Sequence, residues 1–238
     1  MSPVVLVTGG AQRIGSTLCR RFHAQGYRVL IHCLHSIEAA TQLADELNRA
    51  RQASATVIRQ DLQQAGSLAA MATESVGVYG RVDLLINNAS AFYPTPVTEV
   101  SIDAIDELMA INFKAPLLLC RHLAREVTSI INIADIFGEK PLSTYSAYSA
   151  SKAALIMMTR SLALEMKPVR VNAISPGAIL WPEDTANWDQ SVQRGFLEKV
   201  PLGRLGDNDD IAQAALFLAG NDYVTGTILK VDGGRCLS

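Results

Sequence analysis

A chain of 238 residues with a formal net charge of −2 fits one large domain that buries most of its apolar surface in a single core. That charge balance gives no broad surface for nucleic acid or an anionic membrane. Cys19, Cys33, Cys120 and Cys236 share no metal-ligand spacing, which points to reduced thiols in a cytoplasmic protein and to no metal site; Cys33 either packs or lies near a ligand.

The opening "MSPVVLVTGG" enters a strand at once, without a charged leader or a long apolar segment. Periodicity predicts a helix over 12–26, a strand in "YRVLIHC", a helix over 37–51, a strand in "ATVIRQDL" and a helix over 65–79. A strand in "VDLLINNA" precedes one helix over 101–125. "SIINIAD", the helix "YSASKAALIMMTRSLALEM", "VRVNAISPG" and "TILKVDGG" complete the series. The longest apolar runs, such as "APLLLC", are too short to cross a bilayer. Alternating strands and helices predict a single α/β domain, 1–238, with a doubly wound, seven-stranded parallel sheet of Rossmann type. Residues 178–206 break the rhythm and read as a substrate lid with short helices.

Ligands in such sheets bind beyond the carboxyl ends of the strands, where strand order reverses. Thr8, Asp61, Asn87, Asp135 and Pro176 all fall at strand ends. "VTGGAQRIG" joins the first strand to the first helix and suits a pyrophosphate, with Gly9 for the turn and Gly15 for close packing. Arg13 stands where the common spacing has a third glycine. The second strand ends in "HCLHS", with no acid before Glu38 for a ribose hydroxyl. Arg13, His35 and Ser36 therefore favour NADP over NAD, through donors to a 2′-phosphate. Asp61, with the backbone of Leu62, is a candidate for the adenine amine, and Asn87 for the turn beneath the cofactor. Tyr148 and Lys152, four apart, share a helix face; an ammonium there lowers a phenol's pKa and readies it for proton transfer.

With "TGGAQRIG", "NNAS", Asn112 in "INFKAP", "YSASK", "SPG" and the closing "VDGG", the chain resembles the short-chain dehydrogenase/reductase family over nearly its whole length. The resemblance implies a homotetramer, contacts along the helices near 101–125 and 146–166, and catalytic Asn112, Tyr148 and Lys152, with Asn112 supporting Lys152 through water. It also implies that Ile14, Ala89, Ser90, Pro176 and Gly177 line the cofactor. One member differs: Asp135 occupies the position of the usual serine. A carboxylate repels a developing oxyanion and makes a poor ketone site, but suits a ring C=N. Asp135, the 13-residue spacing to Tyr148, Arg13 and "NNASAFYPTP" resemble the pteridine reductase branch. There Phe92 would stack the pterin against the nicotinamide, and Ser90 and Tyr148 would bond the heterocycle. Arg13 could also reach the pterin side of the cofactor phosphates, and Trp181 either closes over the pterin tail or packs within the lid. Asp135 could instead cap a turn, and Phe92 could belong to the core. The expected activity is NADPH-dependent reduction of dihydropterins, with folates as further candidates. The rivals are a carbonyl reductase of the oxoacyl-carrier-protein type and a cofactor sensor without turnover.

Overall fold

The computed structural model describes residues 2–179 and 190–238. Strands β1 (Val4–Val7), β2 (Arg28–Cys33), β4 (Leu84–Asn87) and β5 (Ser129–Ile133) are almost wholly buried. Burial on both faces is why they read as continuous apolar runs instead of alternating ones. With β3 (Ala55–Arg59), β6 (Arg170–Pro176) and β7 (Ile228–Val231), they form one sheet in the order β3-β2-β1-β4-β5-β6-β7, every pair parallel.

Helices α1 (Arg13–Ala24), α2 (Ile37–Ala50) and α8 (Asn208–Gly220) cover one face, over Val5, Val7 and Ile31. Helices α3 (Leu68–Tyr79), α5 (Ala115–His122) and α6 (Ser146–Glu165) cover the other, over Leu6, Leu30 and Ile130. Each such side chain contributes about 1.5–3 kcal/mol when fully buried. A one-residue slip of β1 would exchange the two sets and leave neither face matched. The single-domain fold agrees with the sequence reading. No helix among the described residues is long and apolar enough to cross a membrane.

The helix expected over 101–125 is broken. Helix α4 (Ile102–Met109) runs into a π-helical turn, Ala110–Lys114, before α5. Pro116 has no N–H to return to the carbonyl of Asn112, four residues back, so regular α-helix cannot continue there. The segment over 65–79 opens with a 3₁₀ turn, Ala65–Ser67. Of residues 178–206, read above as a lid, 178–179 and 190–206 are described and include helix α7 (Gln190–Leu197); Trp181 lies outside the described residues.

Candidate active site

Strand order reverses between β1 and β4, and the segments leaving them are laced together. Thr8 N–H donates to the Ile86 carbonyl at 3.0 Å. Thr8 Oγ1 accepts from the N–H groups of Asn88 and Ala89 at 2.9 and 3.0 Å. The Asn88 amide donates to the carbonyls of Thr8 and Gly9 at 2.9 and 3.0 Å. Asn88 thus holds the turn assigned above to Asn87. The Asn87 side chain is buried within the sheet and donates to Asn132 Oδ1 at 2.8 Å. As the last residue of β4 it follows the strand's alternation inward, and only the next residue is free to reach the loop.

Gly9 has φ +60°, and a Cβ on Gly15 would lie 2.0 Å from the Gly9 carbonyl. Helix α1 begins behind Gln12, which provides no side-chain cap, and has no acid in its first turn. No acidic side chain of its first turn competes there with an anion. A cradle that side chains would fill, at an uncapped helix start, fits a dinucleotide pyrophosphate. Arg13 takes a left-handed backbone, φ +50°, where glycine would be relaxed; holding a larger residue there costs about 1–2 kcal/mol. We expect Gly15→Ala to force the loop open. Overpacking costs about 3 kcal/mol at its upper range, which as lost affinity is about 100-fold. Titration of NADPH fluorescence, with circular dichroism as a check on folding, measures this.

His35 is exposed just beyond β2, and Ser36 begins α2 without a side-chain cap bond. The β2 end is tied to the β3 end by Gln60 N–H to the Cys33 carbonyl at 3.1 Å. Asp61 follows, accepting from Gln63 N–H at 2.9 Å and Gln64 Nε2 at 3.2 Å; Leu62 is buried. Pro176 closes β6. Gly177 packs so tightly that a Cβ would lie 2.6 Å from Asp232 Cα.

The chemistry-bearing residues converge at the ends of β4 and β5 and the start of α6. Asp135 caps a turn and also meets the tyrosine. Its Oδ1 accepts from Phe137 N–H at 2.9 Å, capping the 3₁₀ turn Ile136–Gly138, and its Oδ2 accepts from the Tyr148 hydroxyl at 2.7 Å. Lys152 is buried beneath, donating to the Ile133 carbonyl at 3.0 Å, with Nζ 5.8 Å from the centre of the Tyr148 ring. Phe92 is not core: it is 54% exposed, stacked on Tyr145 at 4.7 Å and edge-on to Tyr148 at 4.7 Å.

One expectation is corrected: Tyr148 is not tuned downward by Lys152. Burial, and then the Asp135 charge, push the phenol well above its ordinary value, with the Ser90 hydroxyl acting weakly the other way. Burial raises the Asp135 carboxyl, opposed by the Phe137 amide and the Tyr148 hydroxyl, and pulls Lys152 down to about 8. Tyr148 is therefore a neutral donor held by a carboxylate. The Asn112 side chain makes its hydrogen bonds within the protein. Its Oδ1 accepts from Ser90 Oγ and Ala91 N–H at 3.0 and 2.9 Å, and its Nδ2 donates to the Ala91 carbonyl and Ser151 Oγ, both at 3.0 Å. It clamps the Ser90–Ala91 segment onto α6 and so places Ser90 and Phe92 over Tyr148.

Sequence reasoning passed over Asn88, His32, Ser151, Tyr145 and Arg235. The Arg235 guanidinium packs on Phe196 at 4.2 Å and Phe137 at 5.8 Å, and its charge favours ionised Asp135. Ser151 was legible, lying one helical turn beyond Tyr148 within "YSASK". Arg235, 100 positions beyond Asp135, left no local signal.

A doubly wound parallel sheet, a glycine cradle at its switch point and a buried Tyr–Lys pair define an oxidoreductase that works with a nicotinamide cofactor. A family model described as enoyl-(acyl carrier protein) reductase matches residues 9–235. The chain belongs to the short-chain dehydrogenase/reductase family. Pteridine reductase 1 of Leishmania tarentolae is 34% identical, over 100% of this chain and 97% of that protein. 2,5-dichloro-2,5-cyclohexadiene-1,4-diol dehydrogenase LinX of Sphingobium indicum is 36% identical, over 97% and 95%. 3beta-hydroxysteroid dehydrogenase 1 of Eggerthella lenta is 32% identical, over 98% and 93%. The names of these relatives span different substrates, so the substrate must be read from the site.

Proposed function

We propose that this oxidoreductase is an NADPH-dependent reductase of dihydropterins. The observation that carries the reading is the Asp135 carboxylate, 2.7 Å from the Tyr148 hydroxyl, at the place of a serine donor. A carbonyl substrate would bring developing negative charge against that carboxylate. A ring C=N needs only a hydride at carbon and a proton at nitrogen. When bound, the reduced nicotinamide supplies the hydride. Tyr148 Oη delivers the proton. For delivery the Tyr148 O–H leaves Asp135 Oδ2 and turns to the ring nitrogen, and the phenolate that remains regains a proton from solvent. Lys152 offers its ammonium to the nicotinamide ribose, and Asn112 fixes the segment carrying Ser90 and Phe92. Gly9, Ile14, Gly15, Asp61, Leu62, Ala89, Ser90, Pro176 and Gly177 would hold the dinucleotide. Arg13, His35 and Ser36 support NADP over NAD, since their side chains can donate to a 2′-phosphate and β2 ends in "HCLHS" without an acid for a ribose hydroxyl. A tetramer of the family type would cover the exposed Met157 and Leu164 of α6.

Following NADPH oxidation with dihydrobiopterin and, separately, with an acetoacetyl thioester tests the reading. Turnover of the pterin is expected; turnover of the thioester alone ends it. Phe92 is the expected platform for the ring. Stacking on an aromatic face contributes about 0.5–1.5 kcal/mol beyond area burial, so Phe92→Ala should raise KM for dihydrobiopterin about 2- to 12-fold and leave kcat within about twofold. Steady-state kinetics with saturating NADPH separates the two parameters.

A further inference from the structure

His32 lies on β2, is 2% exposed, and no step above uses its ring. Its backbone carbonyl accepts from Gly10 N–H at 2.8 Å. Its Nδ1 faces Gly9 N–H at 3.1 Å, and its Nε2 faces the Gln60 carbonyl at 3.0 Å. A carbonyl only accepts and an amide N–H only donates. The ring is therefore neutral, with its hydrogen on Nε2 and Nδ1 bare. One residue grips two successive amides of the glycine loop, through one acceptor that titrates and one that does not.

We propose that His32 is a positioning residue for the nicotinamide cofactor: the glycine loop keeps its phosphate-binding shape only while the His32 ring is neutral, so cofactor binding is linked to loss of a proton from that ring. The inference rests on the nicotinamide cofactor of the family and is independent of the pterin reading. A proton on Nδ1 would set one N–H against another with no acceptor between them. The loop has little room to yield. A Cβ on Gly9 would already meet Ala89 Cα at 3.0 Å, and the Gly9 carbonyl is held by Asn88 at 3.0 Å and closed over by Gly15. Displacing the Gly9 amide therefore moves the turn that leads into the start of α1.

Burial holds the ring's pKa below its ordinary value, with the Gln60 carbonyl pulling the other way, and no charged side chain contributes. The titratable groups on the surrounding segments are Arg13 on the loop, Cys33 on β2, Arg59 and Asp61 at the end of β3, and Glu74 and Tyr79 on α3. Arg59 donates to the Leu34 carbonyl at 3.3 Å, and Asp61 is engaged by Gln63 and Gln64. By reciprocity, a ligand that requires the neutral ring must lower its pKa.

The decisive experiment is a ¹⁵N NMR titration of the unaltered chain, with and without saturating NADP⁺. The free ring should report hydrogen on Nε2, and its pKa should fall by about 0.5 unit or more in the complex. Hydrogen on Nδ1, or the same pKa in both states, overturns the proposal. Dissociation constants for NADP⁺ between about pH 7.5 and 5.0, for the unaltered chain and for His32→Asn, give a second reading. The asparagine amide offers Gly9 an acceptor that does not titrate, and the ratio of the two constants cancels ionisation of the nucleotide's own phosphate. The constant for the unaltered chain divided by that for His32→Asn should rise about twofold or more toward pH 5; a constant ratio overturns the proposal, and a purely structural role for His32 would give one. If His32→Asn fails to fold, the ring titration decides by itself.

Discussion

Tyr148→Phe is expected to lower kcat with dihydrobiopterin about 10³-fold, while the dissociation constant for NADPH moves less than about threefold. The magnitude follows from the proton. Positioned acids contribute about 10²–10⁴ to rate, and no other hydroxyl stands 2.7 Å from the Asp135 carboxylate among the described residues. The selectivity follows from packing. Phenylalanine keeps the ring, so the edge contact to Phe92 at 4.7 Å and the Lys152 contact at 5.8 Å survive. The hydroxyl alone is lost, and with it the donor that partly neutralises Asp135. Single-turnover kinetics with preformed NADPH complex separates this from a binding defect. Retention of more than about a tenth of the rate would move the proton delivery to another group.

The Tyr148–Asp135 pair also shows what the sequence could and could not disclose. The residues were visible: a four-residue spacing puts Tyr148 and Lys152 on one helix face, and Asp135 follows a β-branched run. The parallel, doubly wound character of the sheet followed from alternation and handedness, because buried parallel strands have a recognisable apolar signature. The electrostatic relation between the residues was not visible. A helix spacing says that an ammonium is near a phenol; it does not say that a carboxylate from β5 is nearer. That depends on depth of burial and on which oxygen of Asp135 the 3₁₀ turn consumes. The same holds for Asn112. Its position was legible from "INFKAP", but its four hydrogen bonds come from segments 21 and 39 residues away, and the break in the helix around it depends on a proline. Asn87 and Asn88 were adjacent in sequence, and only the true end of β4 distinguishes the one that turns inward from the one that ties the loop.

Lys152→Met should abolish turnover and, at the same time, make the cofactor-free protein more stable at pH 7. The lysine is fully buried, and among the described residues one carbonyl, that of Ile133, accepts from it. Burial pulls its pKa from 10.5 to about 8 despite the opposing attraction of Asp135. At 1.36 kcal/mol per unit, the buried charge opposes folding by about 3 kcal/mol. Losing the hydrogen bond to Ile133 gives back about 1 kcal/mol, so a methionine of similar shape should gain about 2 kcal/mol. For a chain of this size that is a rise in Tm of about 4–8 °C. The pH dependence fixes the cause. Between the folded value near 8 and the unfolded value of 10.5, the unfolded chain binds more protons, so the unaltered protein gains stability as pH rises through that window. The methionine variant does not, and its advantage should shrink toward about pH 10. Thermal melts of both proteins at about pH 7 and pH 9.5 check this. A variant that melts at or below the temperature of the unaltered protein at pH 7 would show that Lys152 is better satisfied than its single carbonyl partner implies. A stabilised, inactive variant would mean that the fold carries an uncompensated ammonium because the bound nicotinamide ribose supplies the oxygens it lacks.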